Sequence, residues 1–256
     1  DSVKEQKPSH QVVNLLERTE GGPRRWETTH TLKGRLATST FQGYAMDSVT
    51  VPLKNAYNSW MRTSSLAFFP DGKLAVGTLP GDVWIVSGIN DKLDQVTWQR
   101  FAAGLYEPLG MKVVDGVLTA ITRGRIVKLH DYNQDGEADF YEAFFNEDEP
   151  DKGWHAYNFD LEVGKDGSFY YGRTGGFSQW SVPGGVVKVS ADGKSSKVLG
   201  AGLRVPNGIG KLPDGRITLG DNQGTYVPAS KISITGENAF HGAGSWTKHG
   251  DKYDPE

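Results

Sequence analysis

Asp131, Asn133, Asp135, Glu137 and Asp139 stand at alternate positions, and Glu142 follows three residues later. The stretch meets every position of the calcium-loop pattern D-x-[DN]-x-[DN]-G-x5-E. In such a loop, side-chain oxygens at positions one, three, five and nine converge on one hard cation. Position seven adds its carbonyl, and the glutamate at position twelve binds with both oxygens. Gly136 at position six permits the sharp turn. The predicted calcium ligands are therefore Asp131, Asn133, Asp135, the Glu137 carbonyl, Asp139 and Glu142. Without a cation, carboxylates this close repel one another. The alternative is an acidic surface turn.

The elements around this loop are wrong for an EF-hand. Upstream, residues 124–130 read as a strand, so the loop is grafted onto β structure. Its expected role is a structural clamp between strands, not a sensor. A repeat supports that context: an apolar strand, an Asp-Gly turn and a second apolar strand. Copies run over residues 65–77, 108–120, 157–171 and 207–219. Their turn aspartates, Asp71, Asp115, Asp166 and Asp214, step by 44, 51 and 48 residues, about one propeller blade of 40–50 residues. Asp-Gly suits a two-residue hairpin turn, where both central positions need positive φ. Third strands follow each copy at 81–86, 125–129, 185–189 and 231–235. The predicted fold is an all-β propeller with about four recognisable blades, part of a larger, six-bladed ring. Four unrelated hairpins in a sandwich are the competing arrangement. Residues 1–57 are expected to form a polar leader and a β segment, and 58–256 the partial propeller. Residues 26–53 alternate well enough for two or three strands.

Composition narrows the function. The chain has 256 residues, a net charge of −3, 33 glycines, 11% aromatic residues and no cysteine. That charge offers no electrostatic case for nucleic acid or an anionic membrane. No apolar run is long enough to span a bilayer. Without cysteine there are no disulfides, thiolate catalysis, Cys-zinc sites or c-type haem attachment within the chain. A phosphate-binding glycine loop, a G-x-S-x-G elbow and an H-E-x-x-H helix are also missing. The start at Asp1 fits a processed or trimmed terminus.

The copies resemble the soluble quinoprotein sugar dehydrogenases. Within that group the chain is most similar to large secreted propeller proteins of planctomycetes and verrucomicrobia, which often carry a cytochrome c domain. The resemblance spans about Tyr44 to Gly242. It rests on residues 81–88, 100–110, 129–142, 202–208 and 221–230. It implies a PQQ-dependent dehydrogenase acting on a sugar or alcohol, with a cytochrome c electron acceptor, in a secreted or periplasmic setting. His155 matches the family's general base, and an imidazole suits proton transfer near neutral pH. Arg204 and Asn207 lie in a segment similar to the family's Arg-Asn-Pro-Gln-Gly motif. That implies an Arg204 fork on a PQQ carboxylate. Val205 departs from the motif, and residues 223–230 lack the acidic segment that holds the family's cofactor calcium. A non-catalytic propeller binding glycan or protein in a larger assembly is the alternative.

Other residues have double readings. His155 could be a hydrogen-bonded blade histidine, and His130 reads as structural. His241 and His249 could be metal or haem ligands. Arg123 and Arg125 could reach the channel or form structural ion pairs, and Arg173 could be a minor substrate or cofactor contact. Trp84, Trp98, Trp154 and Trp180 could pack between blades, and Trp154 and Trp180 could stack on sugar.

Overall fold

A computed structural model describes residues 15–40, 42–148, 153, 155–175, 184–223 and 229–243. After a 3-10 turn at Leu15–Thr19 comes β1 (His30–Leu32). The first blade then holds β2 (Thr63–Phe68), β3 (Leu74–Thr78), β4 (Val83–Ser87) and β5 (Val96–Ala102). The second holds β6 (Gly110–Val114), β7 (Val117–Thr122), β8 (Arg125–His130) and β9 (Phe140–Asn146). The third holds β10 (Asn158–Val163), β11 (Phe169–Arg173), β12 (Gly185–Val189) and β13 (Ser196–Ala201). The fourth holds β14 (Pro206–Lys211), β15 (Ile217–Asp221) and β16 (Lys231–Thr235), and β17 (Ala239–Phe240) pairs in parallel with β13. All four blades are antiparallel meanders, so the described residues form four blades of a β-propeller. Each predicted third strand is the third strand of its blade.

Inner strands pack in succession: β2 on β6, β6 on β10, β10 on β14. Side-chain oxygens stitch them. Ser64 and Ser65 hydroxyls donate to the Pro108 carbonyl at 2.8 and 2.7 Å. Asp160 donates its N–H to the Leu109 carbonyl and accepts from Ile209 N–H at 2.7 Å.

Strand β4 shows how one apolar run serves two cores. Successive side chains point to opposite faces. Val83 and Ile85 therefore join Phe101, Leu118 and Leu129 between blades one and two. Trp84 and Val86 turn the other way, with Val76, Leu93 and Trp98. That second face is covered by Leu32, Val49, Val51 and Tyr57 from the N-terminal segment. Trp84 and Trp98 thus pack under this segment and not between two blades. Further cores lie between blades two and three (Ile121, Ile126, Leu161, Tyr171) and between three and four (Val186, Leu203, Ile217, Leu219).

Among the described residues of 26–53, the N-terminal segment holds one strand and one isolated bridge, Arg35 to Ser48. Strand β1 pairs with β5, His30 facing Trp98, and so extends the first blade.

The turns correct one expectation. Only Asp115-Gly116 forms a two-residue hairpin with positive φ at both positions, 50° and 82°. At Asp71, Asp166 and Asp214 only the glycine is left-handed. There the aspartate side chain accepts the N–H two residues on, from Lys73, Ser168 and Arg216 at 3.1, 3.1 and 2.9 Å. Aspartate is chosen there for that local bond, and glycine alone supplies the positive φ.

Candidate functional site on the interblade face

In an antiparallel meander, successive loops alternate between two ends. The first and third turns of each blade lie at one end. The second turn and the connection to the next blade lie at the other. That second face gathers Asp82, Glu107, Arg123, His155 and Arg204. Backbone bonds confirm the gathering: Leu105 N–H to the Gly81 carbonyl, Arg123 N–H to Tyr106, Glu147 N–H to Gly124 and Gly175 N–H to Arg204.

His155 is half-buried, three residues before β10. Its ring meets Tyr157 edge-on at 5.3 Å. Tyr157 is held by two bonds to Thr174, whose hydroxyl accepts its N–H at 2.9 Å and whose N–H donates to its carbonyl. Arg123, in the β7–β8 turn, props this loop. Its Nε donates to Glu107 at 2.9 Å, and another N–H donates to the Gly153 carbonyl at 3.1 Å. The guanidinium lies 5.1 Å from the Tyr106 ring and 5.6 Å from that of Tyr157. Both partners of the Arg123–Glu107 pair are largely buried.

Beside it is a deeper carboxylate. Glu147 accepts the Tyr171 hydroxyl and an Arg173 N–H on one oxygen. Its other oxygen, Oε2, is buried with no hydrogen bond among the described residues. Burial, with Glu147 adjacent, pushes the Tyr171 phenol well above its ordinary range. Arg173 is thereby an ion-pair member.

Arg204 opens the fourth blade. Its N–H and that of Val205 donate to the two oxygens of Asp221 at 3.1 and 2.9 Å. Its guanidinium donates to the Gln223 carbonyl at 2.8 Å. Asn207 is exposed on β14. Val205, Asn207, Asp221 and Asn222 line an open pocket of about 440 Å³. His155 and Arg204 thus occupy equivalent connections of adjacent blades.

The predicted calcium loop lies at the opposite end, in the β8–β9 turn. Asp131 accepts N–H groups from Asp135 and Gly136 at 3.1 and 2.9 Å. Asn133 and Asp135 accept from residues two further on, and Gly136 has φ 86°. Burial raises the Asp131 carboxyl above its ordinary range, and the charges of Asp135 and Asp139 push the same way. Asp139 accepts Tyr132 N–H within the loop at 2.8 Å and, on its other oxygen, Gly22 N–H of the N-terminal segment at 2.9 Å. The Glu137 side chain is buried and accepts Arg25 Nε, Arg25 N–H and Trp26 N–H at 2.6, 2.7 and 3.0 Å. Glu142 belongs to β9 and bonds His130 at 2.7 Å. The loop also ties to the first blade, Gln99 donating to the Gly136 carbonyl and Ala138 N–H to that of Phe101. Among the described residues, no three His, Cys, Asp or Glu side chains are arranged to hold a metal ion.

His241 is buried against the Thr235 hydroxyl at 3.1 Å, and burial lowers its pKa. His249, Trp154 and Trp180 lie outside the described residues.

The sequence reading missed Glu107, Tyr106, Tyr157 and Glu147. One signal was available for Glu107. It stands three residues before β6, as His155 does before β10, so aligning the copies on their inner strands selects it. Glu147 has no such signal.

No protein-family model and no curated protein sequence matches the chain. Solved structures do match. The PQQ-bound form of aldose sugar dehydrogenase from Streptomyces coelicolor has 17% identity and a TM-score of 0.56, over 71% of this chain and 62% of that one. The holo form of the pyranose dehydrogenase PQQ domain from Coprinopsis cinerea has 12% identity and a TM-score of 0.54, over 69% and 51%. The calcium structure of Trichoderma reesei Carbohydrate-Active Enzymes Family AA12 has 12% identity and a TM-score of 0.54, over 86% and 59%. The fold is therefore that of the sugar dehydrogenase propellers, and the match spans between half and two thirds of those chains. Among the described residues no helix is long and apolar enough to cross a membrane.

Proposed function

We propose that this chain is part of a quinoprotein-dehydrogenase-like propeller that oxidises a sugar or alcohol with PQQ. The reading is carried by the shared position of His155 and Arg204, which enter adjacent blades from one face. Arg204 commits one N–H to Gln223 and keeps others for a carboxylate. Asp221 does not compete strongly for it, because both its oxygens accept backbone N–H groups. Arg204 and Asn207 therefore fit one edge of a planar, carboxylate-bearing cofactor. When bound, PQQ supplies the two-electron acceptor. His155 takes the substrate hydroxyl proton on a ring nitrogen. Arg123 and Tyr157 hold the histidine loop, and Thr174 fixes Tyr157.

Calcium is proposed as structural, on Asp131, Asn133, Asp135, Asp139 and the Glu137 carbonyl. Glu142 would have to leave His130 to join them, and Asp139 would have to share its oxygens with Gly22. The outward faces of the first and fourth blades expose Leu66, Phe68, Ile232 and Ile234. This supports a larger, six-bladed ring. A secreted or periplasmic setting and a cytochrome c acceptor belong to the same proposal.

A second reading, a non-catalytic propeller binding glycan or protein, draws support from the engaged arginines. Arg123 and Arg173 are paired with Glu107 and Glu147. The two readings separate when PQQ and calcium are added to the full-length protein and dye reduction is followed with a sugar panel. Turnover and a spectral shift are expected. Their joint absence leaves the binding module. Calorimetric titration with calcium tests the loop, and equal heats from the wild type and an Asp131→Ala, Asp135→Ala variant would remove calcium from it.

A further inference from the structure

A second pocket, of about 330 Å³, opens between the first and second blades. Its polar lining is Tyr106, Thr122, Arg123, Arg125 and Tyr141, with no acidic residue. Arg123 is already neutralised by Glu107. Arg125 is exposed, and its guanidinium has no ion pair or hydrogen bond among the described residues. The Tyr141 hydroxyl accepts Ala103 N–H at 3.0 Å, so its own proton remains to be donated. Burial pushes that phenol up in pKa, which keeps the proton in place. Thr122 spends its hydroxyl proton on the Arg125 carbonyl at 3.2 Å. Among the described residues, the pocket therefore offers one uncompensated cation and a free O–H, and no anionic acceptor. Beside them stands the ring of Tyr106, 59% exposed.

A donor set of this kind selects an anion. The planar guanidinium fork matches a carboxylate in particular. The volume lies at the lower end of the range for small-molecule pockets, so it suits a single ring. We propose that this pocket binds an organic carboxylate, with the anion on Arg125 and the Tyr141 hydroxyl and the ring against Tyr106. A sugar acid and an aromatic acid share this chemistry. The pocket also communicates with His155, because Arg123 both lines it and bonds the Gly153 carbonyl two residues before that histidine. The inference needs neither PQQ nor turnover, so it stands or falls apart from the dehydrogenase reading.

Calorimetry on the full chain without PQQ, at low salt, tests it with glucuronate, benzoate, glucose and sulfate. A carboxylate is expected to bind where glucose does not. Preference for glucuronate identifies a sugar-acid site, and preference for benzoate an aromatic-acid site. Arg125→Gln should weaken binding at least tenfold, and Tyr141→Phe severalfold. Arg125→Gln removes an exposed side chain without partners, so its unfolding temperature should match the wild type. The proposal is overturned if neither carboxylate binds, if glucose or sulfate binds as tightly, or if Arg125→Gln leaves carboxylate binding unchanged.

Discussion

The two ends of this propeller are built by different means. At the end holding the β8–β9 turn, the first half of the acidic loop is satisfied within a few residues, and only Glu137 and Asp139 reach the distant N-terminal segment. Asp131, Asn133 and Asp135 accept N–H groups two to five positions on. At the other end, partners are distant in sequence. Arg123 reaches back 16 residues to Glu107 and forward 30 to Gly153, and Tyr171 meets Glu147 across 24. A local motif can shape itself. A site assembled from interblade connections exists only once the blades stack. The first kind tolerates change in its surroundings, whereas the second depends on each ion pair that spaces neighbouring loops.

The largest effect expected concerns function at the interblade end. His155→Ala should cut dye-linked turnover by about 10²–10⁴-fold while leaving the unfolding midpoint nearly unchanged. Equal turnover would remove His155 from the chemistry. Arg123→Ala should instead act on stability. It leaves Glu107 largely buried without its partner, at a cost of about 3 kcal/mol in urea unfolding. It should also raise hydrogen exchange around residues 153–157.

At the opposite end, Glu137→Ala should cost about 2 kcal/mol, through lost charge-assisted bonds to Arg25 and Trp26. Arg25 is mostly exposed, which keeps the figure at that level. Faster proteolysis at residues 20–26 would report the loss, and an unchanged cleavage rate would mean the arm docks by other contacts.

The smallest effect is electrostatic. The Asp166 carboxyl is lowered to about 2, first by its bond from Lys188 and then by Ser168 N–H. Its folded value lies below the unfolded one, so its contribution is complete above about pH 4 and fades as pH falls through about 2. Asp166 is more than half exposed, so the contribution is under about 1 kcal/mol after screening. Unfolding of Asp166→Asn should differ from wild type at pH 6 and converge with it near pH 2. A constant offset would place the effect in the turn itself.

These contrasts explain what could be read in advance. Blade spacing, third strands and the acidic loop were legible, because turns and alternation are encoded within a dozen residues. The two-residue turn was legible only at Asp115-Gly116, since Asp-Gly also fits the longer turns at Asp71, Asp166 and Asp214. Glu107 was hidden until its position was aligned with that of His155. Glu147 was hidden altogether, because it sits at the end of an ordinary outer strand and gains its role from Tyr171 and Arg173 of the next blade.

By itself, the sequence determined an all-β chain of four repeated meanders, with an acidic loop between the second and third hairpins and His155 and Arg204 ahead of inner strands. Strand alternation and turn chemistry are local, and they suffice for that much. Only the tertiary structure decided that Arg123 holds the His155 loop, that Glu142 turns to His130, and that residues 20–26 dock on Glu137 and Asp139. It alone left Arg125, among the described residues, as an unpaired cation in a pocket of donors. Each of these depends on which loops meet when the blades pack side by side, and that meeting is not written in any single stretch of chain.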